Sequence, residues 1–162
     1  LSIQASKRYQ LAQKAGQASL WPHVKGGAPP NLQAISRLSG AWVYETEQRR
    51  ARLRMTQSGT FQLITRRKDL VTRRHYVRGF YSVRDQKLYL RQDDRFGRPY
   101  VRGRPEIDFY PVAMREIDVN FDLQRQGRRM IWTFTYDGGD TQNLQNHLAG
   151  GAIKNIEWYR NR

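Results

Sequence analysis

Beyond residue 40 the chain alternates apolar and polar residues with a period of two. Ile117, Val119, Phe121 and Leu123 interleave with Asp118, Asn120, Asp122 and Gln124. Successive strand side chains point to opposite faces, so this stretch predicts a strand with one apolar and one wet face. Met130, Trp132, Phe134 and Tyr136 repeat the pattern against Ile131, Thr133 and Thr135, and Gln126-Gly127-Arg128 between the two runs has hairpin composition. Leu53 and Met55 alternate with Arg52 and Arg54, Ser58-Gly59 turns the chain, and Phe61, Leu63 and Thr65 carry on. Val77, Gly79, Tyr81 and Val83 stand opposite Arg78, Phe80 and Ser82, with a turn at Asp85-Gln86 before Leu88 and Leu90.

The pattern predicts about nine strands, at 41–48, 52–57, 60–67, 74–84, 87–92, 107–114, 116–124, 129–136 and 153–160. The run from Ile107 through Phe109 is bent near Pro111. Tight turns between consecutive strands make an antiparallel meander. A long open meander exposes unpaired edges, and curling until the ends meet removes them. The fold class expected is therefore all-β, an up-and-down barrel of roughly eight to ten strands. A two-sheet sandwich is the alternative.

Residues 1–39 follow another rule. Ser6 to Trp21 spaces Tyr9, Leu11, Ala12, Ala15 and Leu20 as a helix would, and Trp21-Pro22 ends it. Lys25 to Pro30 has linker composition, and Asn31 can cap a short turn over Leu32 to Leu38. The predicted organisation is an N-terminal helical arm and linker, 1–39, followed by a barrel domain, 40–162. The arm either packs on the barrel or docks on a partner chain.

Charge changes the picture. The chain of 162 residues carries a net charge of +15, from 23 Arg and 6 Lys against 9 Asp and 5 Glu. Guanidinium forks match phosphate and carboxylate, so the excess suggests an anionic partner. No cysteine is present, which excludes disulfides, thiolate zinc sites and a cysteine nucleophile. No apolar run approaches the roughly 18–20 residues of a membrane helix. No leader peptide is visible, and the compartment, cytoplasmic or exported, stays open.

Leu38-Ser39-Gly40-Ala41-Trp42 places a short helical turn before G-x-W at the start of the first barrel strand. This resembles the lipocalin, or wider calycin, family, and bacterial lipocalin-like domains of uncertain role most of all. The resemblance implies that Gly40 lets the chain enter the barrel closely and that Trp42 plugs its closed end. It implies too that an arginine at the last strand covers the indole; Arg160 is the match, with Arg162 next. Gln142 to Leu148 is expected to form two helical turns at most, shorter than the family's helix before the last strand. The family's usual guest is a small apolar or lipid-like ligand, and Phe109, Phe121, Trp132 and Phe134 are the candidate lining.

Other constellations carry less chemistry. His23, His75 and His147 have no metal-ligand spacing to one another or to acidic residues, and no cofactor motif is present. Asp93-Asp94 could do acid–base work with His75, but Arg95 and Arg98 beside them favour ion pairs in a long loop. Asp137-Gly138-Gly139-Asp140 reads as a turn, since the further calcium ligands are missing. No nucleophile elbow or phosphate loop is present, so the expectation is a non-enzyme. Arg49, Arg50, Arg66, Arg67, Lys68, Arg73 and Arg74 crowd the hairpins around positions 50 and 70. By the period-two rule Arg52, Arg54, Tyr76, Arg78 and Phe80 share one outward face, and they are the candidate surface for an anionic partner. Two binding functions follow: an apolar or lipid-like ligand inside the barrel, or a basic subunit of a larger assembly. The latter would dock an acidic protein through the arginine face or, less favoured without RNA-recognition signatures, a nucleic acid.

Overall fold

The period-two stretches become strands because each offers one apolar face to a shared interior. A computed structural model describes residues 32–161 of the chain. The predicted helix at 6–21, the linker at 25–30 and His23 lie outside the described residues. In chain order the elements are α1 (Leu32–Leu38), β1 (Gly40–Glu45), β2 (Arg49–Met55), β3 (Thr60–Arg67), β4 (Arg73–Arg84) and β5 (Lys87–Gln92). A single 3-10 turn (Asp94–Phe96), β6 (Asp108–Pro111), β7 (Glu116–Gln124), β8 (Arg129–Thr133), α2 (Gly139–Ala149) and β9 (Asn155–Arg160) complete them.

Neighbouring strands pair antiparallel around a ring: β1, β2, β3, β4, β5, β7, β8, β9 and back to β1. The result is a closed eight-stranded meander barrel. Its last seam is short, with only Trp42↔Arg160 and Val43↔Tyr159 in register.

One strand breaks the expected pattern. The stretch expected as a member of the meander at 107–114 shortens to β6, which pairs parallel with β4 from Arg73↔Asp108 to Tyr76↔Pro111. The cause is a length mismatch. β4 has 12 residues and β5 only 6, so the first half of β4 has a free edge beyond the reach of β5. The chain leaves β5, crosses outside the barrel and returns to fill that edge before continuing into β7. Val112 N–H then donates to the Tyr76 carbonyl at 2.8 Å, extending the same pairing.

Register places one row of side chains inside after another. Trp42, Leu53, Leu63 and Val77 are successive partners across β1 to β4 and all are buried. Both ends are covered. Ile35 and Leu38 of α1 join the core at the end where β1 begins, so the packed unit reaches back before residue 40. Leu144 and Leu148 of α2 close the other end.

That second helix is longer than expected: 11 residues, about three turns, not two at most. Its sequence is mostly polar, with weak helix formers at Asp140, Thr141 and Asn143, so propensity understates it. Tertiary bonds supply the difference. Asp140 accepts from the backbone N–H of Arg115 at 2.9 Å and of Glu116 at 3.2 Å, and Gln145 Nε2 donates to the Ile153 carbonyl at 2.7 Å. Gly150, at φ 78°, ends the helix in the left-handed conformation.

Candidate functional site

At the closed end Gly40, Trp42 and Arg160 meet. The Arg160 guanidinium carbon lies 4.0 Å from the centre of the Trp42 ring. Its Nε donates to the Gly127 carbonyl at 2.9 Å and its Nη2 to the Arg37 carbonyl at 2.6 Å. Its Nη1 donates to the Ser39 carbonyl. Trp42 Nε1 donates to the Leu38 carbonyl at 2.9 Å, which seats α1 on the indole. Gly40 has φ +127°, and a Cβ there would stand 2.6 Å from Arg160 Nη1. Only glycine allows this backbone and this approach together. The guanidinium is boxed in by ring and carbonyls, and burial lowers its pKa from the ordinary arginine value.

The barrel interior is filled. Trp42, Trp132 and Trp158 have no accessible surface, nor do Leu53, Leu63, Tyr81, Leu88, Leu90, Val119 and Met130. A side chain with zero accessible surface borders no void that admits a water. Of the aromatic residues expected to line a ligand, Trp132 packs 5.0 Å from Trp158 and 6.4 Å from Phe134, ring centre to ring centre. Phe121 is partly buried against the same core. Phe109 is elsewhere. It is buried outside the barrel, edge-on to Tyr76 at 6.3 Å, because β6 shares the outward face of β4.

The basic face lies on the outside of β2, β3 and β4. Register aligns Arg52, Ile64 and Tyr76 in one row and Arg54, Gln62 and Arg78 in the next. Arg52 and Arg54 are exposed and form no ion pair or side-chain hydrogen bond among the described residues. The β4 side of this face differs from expectation. Phe80 points outward but is 4% exposed, because Phe96 of the 3-10 turn covers it edge-on at 5.4 Å. Arg78 donates to the Phe96 carbonyl at 2.8 Å and sits over its ring. Tyr76 is covered in part by Phe109. The excursion between β5 and β6 thus clads β4, and the open cationic face is narrower, centred on β2 and β3. Period-two counting sees which side a residue points to, not what a loop later lays over it.

The candidate acid–base group does not assemble. Asp93 caps the 3-10 turn and pairs with Arg95 at 2.5 Å. Asp94 accepts from Gln92. His75 instead faces the interior side at the α2 end, with its ring centre 4.2 Å from that of His147. Nothing in the sequence spacing of His75 and His147 brings the two together. Among the described residues no group of three or more His, Cys, Asp or Glu is placed to hold a metal ion. No helix among them is long and apolar enough to cross a membrane.

No family model and no curated protein sequence matches this chain. The closed barrel is an architecture compatible with ligand binding, and the geometry alone carries the functional argument.

Proposed function

We propose that this chain is a non-enzymatic binding module that docks an acidic protein surface through the outer face of β2 and β3. The observation that carries this is the pair Arg52 and Arg54, exposed, in register with neutral Ile64 and Gln62, and without a carboxylate partner among the described residues. Clustered cations repel one another, and an anionic partner relieves that repulsion. Arg66 extends the cationic row beyond Ile64. A lipocalin-like kinship fits the closed barrel and the glycine–tryptophan–arginine plug. Unlike that family's ligand carriers, this barrel has Trp132 and Trp158 where a guest would lie, so an apolar ligand inside is the weaker reading.

A single-stranded nucleic acid would use stacking platforms beside the arginines. Tyr76 and Phe80 are already packed against Phe109 and Phe96, which favours the acidic protein. The test is fluorescence anisotropy with labelled polyglutamate and a single-stranded oligonucleotide of equal charge, titrated with salt. The peptide should bind at least as tightly as the oligonucleotide, and Arg52→Glu with Arg54→Glu should weaken it at least about tenfold. Peptide binding that ignores both reversals would end the proposal.

A further inference from the structure

We propose that the α2 end of the barrel holds a second, separate binding site, a pocket for a phosphate monoester. A cavity of about 220 Å³ lies there, outside the packed core. Arg49 of β2, Thr65, Arg66 and Arg67 of β3, Arg73 and His75 of β4 and His147 of α2 line it. Register explains why they converge. Ala51, Thr65 and His75 form the last interior row, and Arg49 with Arg67 forms the row above it. These residues therefore point toward the barrel axis from its rim, and α2 brings His147 over the top.

The charge balance is one-sided. Asp69 is the carboxylate in ionic contact with the cluster, and it is engaged by Arg67, with Nη2 at 2.6 Å and Nε at 3.0 Å. Arg49 forms no ion pair or side-chain hydrogen bond among the described residues. Its guanidinium instead lies against Gly150 at the C-terminal end of α2, where a Cβ would stand 2.9 Å from Nη2. Arg73 rests over the Tyr110 ring at 5.3 Å, a contact that leaves its N–H groups free for an anion. Tyr110 in turn lies 5.8 Å from His75. Four guanidiniums, one of them engaged by Asp69, two imidazoles and a threonine thus line a hollow to which no carboxylate among the described residues contributes.

Guanidinium forks and imidazole N–H groups are the donors that bind phosphoryl oxygens, and Arg is strongest where two oxygens of one group can be held together. The cavity is larger than a phosphate alone, leaving room for a small organic substituent toward Leu70, which also lines it. Without a guest the site keeps its imidazoles neutral. Burial first, then His75 and Arg49, lowers the His147 pKa to about 4, and burial, then Arg73, lowers that of His75. A dianion would reverse the local field and draw protons onto both rings. Binding therefore takes up protons, and affinity rises as pH falls through the range in which the guest stays dianionic. The charged and titratable groups facing the pair are Arg49, Arg66, Arg67 with Asp69, Arg73 and Tyr110.

The experiment is isothermal titration calorimetry of the full chain with inorganic phosphate and with phenyl phosphate, paired with NMR titration of the histidine ring protons. Phenyl phosphate should bind, and the shifts of two histidine rings should move toward the imidazolium values. Arg73→Gln and His147→Gln should each weaken binding about tenfold. Arg52→Glu on the outer face should leave it unchanged, which separates this site from the docking face. Vesicles bearing phosphatidic acid, compared with purely zwitterionic ones, form a second arm. Binding there but not to phenyl phosphate would assign the monoester to a lipid headgroup. The proposal is overturned if neither form binds, or if binding survives both pocket substitutions in folded protein. Circular dichroism of each variant, and Arg73→Lys retaining part of the affinity, distinguishes a lost ligand group from a lost fold.

Discussion

Replacing Arg160 by alanine should loosen the barrel at its seam. The side chain binds three carbonyls, those of Gly127, Ser39 and Arg37, and covers the Trp42 ring at 4.0 Å. A guanidinium over tryptophan contributes about 0.5–2 kcal/mol, depending on desolvation. Each hydrogen bond is worth about 1 kcal/mol, and water reaches the outer carbonyls once the side chain is gone, so the three are not fully lost. The sum is about 3 kcal/mol. It matters because Trp42↔Arg160 is one of only two register pairs joining β9 to β1. For a domain of this size about 3 kcal/mol corresponds to a fall in Tm of roughly 6–12 °C. Arg160→Lys keeps the charge but not the fork and should lose about half as much. Urea unfolding followed by tryptophan fluorescence measures both. A loss below about 0.5 kcal/mol for the alanine variant would show that the plug does not hold the seam.

Two further outcomes follow from specific geometry. Gly79→Ala puts a Cβ 1.8 Å from the Arg91 carbonyl oxygen, where β4 and β5 cross closely, so unfolding should shift by about 3 kcal/mol or more, against less than about 1 for Gly151→Ala, which meets nothing. His147, held at a pKa of about 4, is neutral in the folded protein while the unfolded chain protonates near 6.5. Stability is then complete above about pH 6.5 and falls as pH drops toward 4, by about 1–2 kcal/mol for a ring that solvent partly screens. His147→Gln should flatten urea midpoints across that window, and an unchanged slope would assign the acid sensitivity elsewhere.

The barrel was legible because its signal is local and repeated. Leu53, Leu63 and Val77 each announce an interior face by alternation alone, and the register joins them in one row. Gly40, Trp42 and Arg160 were legible through a short motif at a strand start and a cation at the chain's end. What escaped depends on distance in sequence. Nothing near Phe80 says that Phe96 will cover it, and nothing near His75 says that a polar helix will bring His147 to within 4.2 Å between ring centres. The parallel turn of β6 escaped for a similar reason. It follows from the unequal lengths of β4 and β5, a property of two strands compared and not of the run from Ile107 onward.

The distribution of arginines narrows where an anion can bind. Several are already committed: Arg160 to carbonyls at the plug, Arg78 to the Phe96 carbonyl, Arg95 to Asp93, Arg129 to Glu157 and Arg104 to Glu106. Each stitches one segment to another or stiffens a loop, so removing it costs structure. Arg49, Arg52, Arg54 and Arg73 form no ion pair or side-chain hydrogen bond among the described residues, and all four lie on β2 or at the start of β4. Exposed cations without partners contribute little to folding, because water already solvates them. Their mutual repulsion is a modest burden that high salt relieves. Exposed arginines at Arg84, Arg98, Arg102, Arg125 and Arg128 also form no ion pair or side-chain hydrogen bond among the described residues, but they stand at a strand end, in a loop and in a turn. The outer face of β2 and the rim instead group theirs by strand register, and this grouping favours anions at those two places while the filled interior serves stability. The two sites differ in kind. The convex outer face has no enclosure and suits a broad acidic surface, whereas the concave rim pocket, with imidazoles that can take up protons, suits a single compact charge.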